Sequence, residues 1–145
     1  METAENTEKK SLSRREERQQ ALTFVFERLF RDDSAEEVFE DATEARDEEI
    51  SGYARKVVTG VEEHLTEIDT LIEENLKGWK KNRIAKMSLT ILRIAVYEMC
   101  YVDNIPVSVS INEAVELAKC YATDKEAAFI NGVLGSIAKQ RGEKR

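Results

Sequence analysis

A chain of 145 residues has the length of one domain and can bury a core without disulfides or a structural metal. Its 41% apolar and 35% charged residues exclude a disordered protein, and its apolar runs fall short of the ~18 residues of a membrane span. The net charge of -7, taken as a total, argues against a nucleic-acid partner.

Four amphipathic helices are predicted in the first half of the chain. The first begins at a capping box formed by Ser13 and Glu16 and ends near residue 31. Three more are predicted over about residues 34–43, 47–64 and 66–77. Apolar residues recur at the spacing of one helix face, as in the first helix at Leu22, Val25, Phe26 and Leu29. One proline and six glycines leave little turn chemistry, which counts against a many-stranded β fold.

The second half of the chain predicts three further helices. The fifth, over about residues 82–101, is apolar on nearly its whole circumference, which is typical of a buried central helix. Its remaining polar strip consists of Lys86, Thr90, Arg93 and Tyr97. Capping boxes of Ser110 with Glu113 and of Thr123 with Glu126 are predicted to begin the sixth and seventh helices.

These elements predict a single all-α domain with no internal repeat. The domain is expected to span residues 13–141, with a flexible polar and basic arm at residues 1–12 and a disordered tail at residues 142–145. Gly132 and Gly135 lie inside the last predicted helix, where a glycine costs about 1 kcal/mol relative to alanine. We therefore predict that another helix packs closely against these two glycines.

Residues that carry catalysis or hold metal ions are sparse. His64 is the only histidine, and a catalytic triad or a multi-histidine metal site needs partners that the sequence lacks. Glu113 and Glu116 share a helix face, but a di-metal site would require a second such pair with histidines. Cys100 and Cys120 lack the spacing of metal ligands, which favours a reducing cytoplasm. The sequence therefore predicts a cytoplasmic protein that is not an enzyme and needs no metal or cofactor.

The charge is distributed unevenly along the chain. Residues 1–77 carry 11 Lys and Arg against 22 Asp and Glu, whereas residues 78–145 carry 11 against 7. Within the acidic half, residues 9–18 hold five bases and two acids. Such asymmetry can mark a nucleic-acid surface inside an acidic protein. The alternative is a solvated helix start of mixed charge, and charge alone favours that alternative.

Two groups of residues have the composition of an RNA contact. The first lies at the start of the first helix and consists of Lys9, Lys10, Arg14, Arg15 and Arg18. The second surrounds the turn between the sixth and seventh helices and consists of Lys119, Tyr121 and Lys125. Basic arms bind phosphates with release of counterions, and an aromatic ring between bases can stack on an unpaired nucleotide. For the tyrosine, a lid over the hydrophobic core is the alternative.

Three motifs stand in order along the second half of the chain. They read ILRIAVYEM at residues 91–99, SINEAVELAK at residues 110–119 and FINGVLGSIA at residues 129–138, with Trp79 and Arg83-Ile84 upstream. With these motifs the chain resembles the NusB family of bacterial transcription antitermination factors over nearly its whole length. The resemblance implies two three-helix subdomains around a long central helix. It also implies binding to the boxA element of ribosomal RNA leader transcripts together with NusE, a small-subunit ribosomal protein, in an RNA polymerase antitermination complex.

The resemblance and the charge pattern together predict the RNA contacts. These are Lys10, Arg14, Arg15, Arg18, Gln20, Lys119, Tyr121, Asp124, Lys125 and Phe129. A NusE surface is expected around the polar strip of the fifth helix, at Arg83, Lys86 and Thr90. The alternatives for this strip are a solvated surface and a structural ion pair between Arg93 and a carboxylate.

The sequence departs from the family pattern at three places. Ala128 stands where relatives often carry lysine, Ser88-Leu89 replaces an Asp-Arg pair, and Glu16 with Glu17 dilutes the basic arm. We therefore expect weak RNA affinity in the absence of NusE. Two other interpretations stay open. One is a self-associating helical module, which as a homodimer would cover the RNA contacts, and the other is an RNA-binding domain cut from a ribosomal RNA cytosine methyltransferase.

Overall fold

The structure is a computed structural model that describes residues 12–78 and 80–142. Within those ranges the chain forms seven α-helices and no strand, which confirms the predicted all-α class. The helices are α1 (Arg14–Glu27), α2 (Ala35–Arg46), α3 (Gly52–Glu63), α4 (Leu65–Glu74), α5 (Lys86–Tyr101), α6 (Val107–Tyr121) and α7 (Asp124–Gln140). Short 3-10 turns follow α1 at Arg28–Phe30 and precede α5 at Lys81–Arg83. None of the described helices is long and apolar enough to cross a membrane.

Short polar side chains begin most of the helices, as the sequence predicts. The hydroxyl of Ser13 accepts a hydrogen bond from the Glu16 backbone N–H at 3.0 Å, and Ser34 begins α2 with the same capping box. Thr123 caps α7 through the backbone N–H of Glu126, also at 3.0 Å. These caps satisfy backbone donors that have no partner inside the helix.

The predicted start of the sixth helix is wrong. α6 begins at Val107, with Pro106 at its N-cap, so Ser110 lies inside the helix instead of capping it. The Ser110 hydroxyl donates a hydrogen bond to the buried carboxylate of Glu98 at 3.0 Å. Glu113, the other half of the expected capping box, binds an arginine of α1 instead. Both side chains are therefore committed to tertiary contacts.

α5 is the centre of the fold. Eleven of its sixteen residues are buried, and it packs against α1, α3, α4, α6 and α7. On one side of it α1, α2 and α3 contact one another, and on the other side α4 and α6 both pack on α7. This arrangement is that of two three-helix groups around a shared central helix, as expected from the family resemblance.

A buried polar cluster joins the two groups of helices. Glu98 of α5 is 1% exposed and accepts hydrogen bonds from Arg18 of α1 at 2.8 Å, from the Tyr53 hydroxyl of α3 and from Ser110 of α6. Burial, and then the contact with Glu98, raise the pKa of Tyr53 well above its usual value, so the phenol remains a neutral donor. We refer to Arg18, Tyr53, Glu98 and Ser110 as the Glu98 cluster.

A second buried ion pair fastens α5 to α4. Arg93 donates two hydrogen bonds to the carboxylate of Asp69, at 2.9 and 2.8 Å, and Lys81 reaches the same carboxylate at 3.1 Å. The alternative of a structural ion pair at Arg93 is thus confirmed. Two parallel bonds from one guanidinium also fix the orientation of the two side-chain groups relative to each other.

The prediction that another helix packs closely against Gly132 is wrong. A close helix contact of this kind occurs at a different glycine. A Cβ atom built at Gly132 would meet nothing within 4 Å. At Gly60 of α3, a Cβ atom would lie 2.2 Å from Cε1 of Tyr97. The ring of Tyr97, on α5, therefore packs directly on the backbone of α3, in a space that only glycine leaves open.

Candidate nucleic-acid interface

The basic start of α1 lies beside α6 and is exposed. The guanidinium of Arg15 is bound by both carboxylate oxygens of Glu113, with its Nε and Nη2 atoms at 3.0 and 2.8 Å, while 59% of its side chain remains exposed. Arg14 lies over the ring of Tyr53, 3.6 Å from the centroid, and 3.3 Å from Glu17. The hydrogen bond from Arg15 lowers the pKa of the Glu113 carboxyl, which keeps it ionised at neutral pH.

Arg18 does not belong to the exposed surface. Only 4% of the residue is accessible, and its guanidinium is committed to Glu98 inside the Glu98 cluster. A phosphate could reach it only after the ion pair had been broken and α1 displaced. The prediction that Arg18 contacts RNA is therefore corrected, and the residue is assigned to the fold.

Gln20 is also occupied by the fold. Its amide nitrogen donates to the side chain of Glu48 at 3.0 Å and to the carbonyl of Glu49 at 2.9 Å, and its amide oxygen accepts from the backbone N–H of Ser51. These bonds hold the connection that leads into α3, whereas the side chain is half-exposed, and the RNA contact at Gln20 stays a prediction. Lys10 lies outside the described residues.

The turn between α6 and α7 presents an exposed aromatic ring between lysines. Tyr121, the last residue of α6, is 47% exposed, which excludes the alternative of a lid over the core. Lys119 is exposed two residues earlier on α6, 3.7 Å from Glu116, and Asp124 and Lys125 are exposed in the first turn of α7. An accessible phenol ring can stack on a base, and exposed lysines near the same turn can neutralise phosphates of the strand.

A pocket lies between the start of α1 and the second half of α6. Its lining is formed by Arg15, Gln19, Glu113, Glu116, Leu117 and Cys120. Arg15 is thus placed against α6, the helix that ends at Tyr121. We refer to Arg14, Arg15, Lys119, Tyr121 and Lys125 as the RNA surface, after the contact predicted for these residues.

Phe129 is half-buried against the core. It lines two cavities that are formed by α7 and the connection from α4 to α5. The smaller cavity, of about 90 Å³, is also lined by Arg83, Ile84, Ala85, Lys125 and Glu126. The larger cavity, of about 250 Å³, is also lined by Asn75, Leu76, Lys77, Ala128, Gly132 and Val133. Arg83, predicted to contact a partner, and Lys125, predicted to contact RNA, thus line the same cavity.

The predicted partner surface is exposed at two of its three residues. Arg83 and Lys86 are both exposed. Thr90 is fully buried and its hydroxyl donates to the carbonyl of Lys86 at 2.8 Å, so the prediction of a surface contact at Thr90 is wrong. Ser88 is also buried and donates to Glu126 at 2.6 Å, which ties α5 to the first turn of α7. The polar strip of α5 therefore serves the interior of the protein beyond its first turn.

The chain is similar in sequence to NusB proteins over nearly its full length. The NusB family model matches residues 15–139. The transcription antitermination protein NusB of Clostridium novyi (strain NT) is 41% identical over 132 residues, covering 88% of this chain and 99% of that protein. The NusB protein of Acetivibrio thermocellus is 45% identical over 130 residues, covering 88% and 90%.

Solved structures of NusB proteins have the same arrangement of helices. NusB of T. maritima matches with a TM-score of 0.79 and 33% identity, over 90% of this chain and 94% of that one. A structure of the antitermination factors NusB and NusE in complex with dsRNA contains a chain that matches with a TM-score of 0.77 and 28% identity, over 88% and 96%.

Proposed function

The chain belongs to the NusB family, and we propose that it is a transcription antitermination factor that binds the boxA element of nascent ribosomal RNA leader transcripts together with NusE. It would act in the cytoplasm as part of an RNA polymerase antitermination complex. Its relatives are named as transcription antitermination proteins, and the proposed role is accordingly that of a binding factor and not of an enzyme.

One observation carries this proposal, the exposure of an aromatic ring and four basic side chains on helices that contact one another. Tyr121 is exposed where α6 ends, Lys119 and Lys125 are exposed near the same turn, and Arg15 binds Glu113 of α6. Single-stranded RNA is recognised by stacking of its unpaired bases on aromatic rings, while basic side chains hold the backbone. The RNA surface provides both kinds of contact side by side. The acidic excess of the chain lies mainly in α2, in residues 47–49 and in α4, none of which contributes a residue to the RNA surface.

For NusE we propose a surface around Arg83 and Lys86, without Thr90. Both side chains are exposed, and Arg83 shares a cavity with Lys125 of the RNA surface. A protein bound there would lie beside the RNA and could contact the same strand. Two ligands that make favourable contacts with each other on one protein bind with a favourable coupling free energy. Such a coupling supports the expectation that the protein binds RNA weakly by itself and more tightly together with NusE.

The RNA surface is tested by gel-shift titrations of labelled boxA-like RNA at low salt and at about 0.15 M salt, with and without NusE. We expect Tyr121→Ala to weaken binding by about 1–3 kcal/mol at both salt concentrations, because stacking does not depend on counterions. We expect the double variant Arg14→Ala/Arg15→Ala to flatten the salt dependence, by up to ~0.7 in slope for each phosphate of a single strand that is no longer neutralised.

The matched control for the arginines is the double variant Arg46→Ala/Arg55→Ala. It removes two exposed arginines from α2 and α3 that likewise lie near aromatic rings and carboxylates. This control should leave both affinity and salt slope unchanged. If Tyr121→Ala and the Arg14/Arg15 variant behave like the control, the RNA surface is misplaced. Size-exclusion chromatography with and without RNA would then show whether the surface instead mediates a homodimer.

The partner surface is tested by charge reversal. Lys86→Glu and Arg83→Glu should each raise the dissociation constant for NusE about fivefold or more, since a reversed charge at an interface repels what the native charge attracts. Isothermal titration calorimetry measures this constant directly. Lys56→Glu, an equal change at an exposed position of α3, serves as the control. An unchanged constant for Lys86→Glu would remove that residue from the interface.

A further inference from the structure

One cation of the RNA surface, Arg15, is already bound by a carboxylate of the protein itself. Both oxygens of Glu113 accept hydrogen bonds from Arg15, at 3.0 and 2.8 Å, from a helix that lies 98 residues away in sequence. A guanidinium presents the same paired N–H donors to a carboxylate and to a phosphate. A phosphate bound by Arg15 in this way would have to take the place of Glu113.

We propose that Glu113 is an autoinhibitory contact, an internal competitor that occupies Arg15 in the free protein and that RNA phosphate must displace. The inference rests on the proposed RNA-binding function. The competitor reduces binding that depends on phosphates alone. A bound RNA must therefore supply other contacts, such as a base stacked on Tyr121 or a neighbouring partner protein.

The geometry makes this exchange feasible. The pair between Arg15 and Glu113 is exposed on the arginine side, and exposed ion pairs are weak because water and salt screen them. Glu113 also lies 3.7 Å from Nη1 of Arg18, so its carboxylate keeps a cationic neighbour when Arg15 turns toward a phosphate. The buried pair of Arg18 with Glu98 offers no such exchange, because breaking it would leave a charge inside the protein.

Lys119 of the RNA surface also has a carboxylate neighbour on α6. Glu116 lies one helical turn after Glu113 and 3.7 Å from Lys119. Both acids line the pocket between Arg15 and the second half of α6. Acidic side chains therefore accompany the cations along α6, although only Glu113 forms a two-bond pair with one of them. Glu113 is for this reason the residue to test.

The test compares Glu113→Gln with the native protein in binding poly(U), an unstructured RNA without a boxA element, by fluorescence anisotropy. The amide has nearly the same shape but no charge, so Arg15 becomes free to neutralise a phosphate. We expect about two- to fivefold tighter binding at low salt. We also expect the logarithmic salt slope to steepen by up to ~0.7, the value for one more neutralised phosphate on a single strand.

Two further variants distinguish the loss of the contact between Glu113 and Arg15 from the loss of one negative charge. Glu62→Gln removes one negative charge and breaks a similar pair between helices, that of Glu62 with Arg28 at 3.1 Å, and should change nothing. Arg15→Ala/Glu113→Gln should abolish the increase in affinity, since the freed guanidinium is then absent. Thermal unfolding verifies that every variant is folded.

The outcomes separate the inference from the proposed function. If Glu113→Gln binds poly(U) no more tightly than the native protein, or more weakly, Glu113 positions Arg15 for RNA and the inference is overturned. An increase in affinity that persists without Arg15 overturns it as well. Binding of boxA-like RNA by the native protein with NusE is measured in parallel. Failure there removes the proposed function, whatever poly(U) shows.

Discussion

Replacing Arg18 with alanine should lower the free energy of unfolding by about 3–5 kcal/mol, because it leaves the carboxylate of Glu98 buried without its cation. Glu98 would retain only the hydroxyl donors of Tyr53 and Ser110. For a domain of this size the midpoint temperature should fall by roughly 10–15 °C. Urea denaturation followed by circular dichroism measures the change in free energy.

Arg15→Ala is the matched control for this prediction. Arg15 lies one turn before Arg18 on α1 and is likewise bound to a glutamate, but its pair is open to solvent. The midpoint of unfolding should therefore change little. Equal losses of stability for the two variants would show that the burial of the Arg18–Glu98 pair has no special effect.

Replacing Gly60 with alanine should destabilise the protein by about 1–3 kcal/mol, through overpacking. The new Cβ atom would lie 2.2 and 2.3 Å from two carbons of the Tyr97 ring. Tyr97 is 5% exposed and stands on the central helix, so α3 and α5 would have to move apart. The same denaturation experiment measures the effect.

Gly132→Ala is expected to have the opposite sign. Gly132 lies within α7, and a Cβ atom there meets nothing within 4 Å. Alanine loses less backbone entropy in a helix than glycine does, so stability should rise by roughly 0.5–1 kcal/mol. Destabilisation at Gly132, or stabilisation at Gly60, would contradict the packing described for these helices.

Local signals made most of the helices predictable. The capping boxes at Ser13 and Ser34 are complete within four residues, and nothing distant competes for them. The pattern of Ser110 and Glu113 has the same spacing, but the partners of these two residues lie 12 and 98 positions away. Sequence spacing shows which side chains can cap a helix. It does not show whether a tertiary partner takes them first.

The candidate site was predictable only where exposure follows from position in the chain. Tyr121 and Lys125 flank a helix–helix turn, and turns lie at the surface. Arg15 and Arg18 are indistinguishable as residue types and lie one turn apart on the same side of α1, yet only Arg18 reaches Glu98 of α5 and is buried. Thr90 lies on the polar strip, but neighbouring helices cover that strip after the first turn.

The Glu98 cluster links the two groups of helices, which bears on whether the protein can be divided into smaller working parts. Arg18 lies one turn after Arg15 on α1, and Ser110 lies one turn before Glu113 on α6. The Glu98 cluster therefore lies next to the pair of Arg15 with Glu113, where α1 meets α6. Two of the five residues of the RNA surface come from the first group of helices and three from the second. Neither half of the gene, expressed alone, would encode a complete site. The domain is consequently the smallest unit that can be moved into another protein with this surface intact.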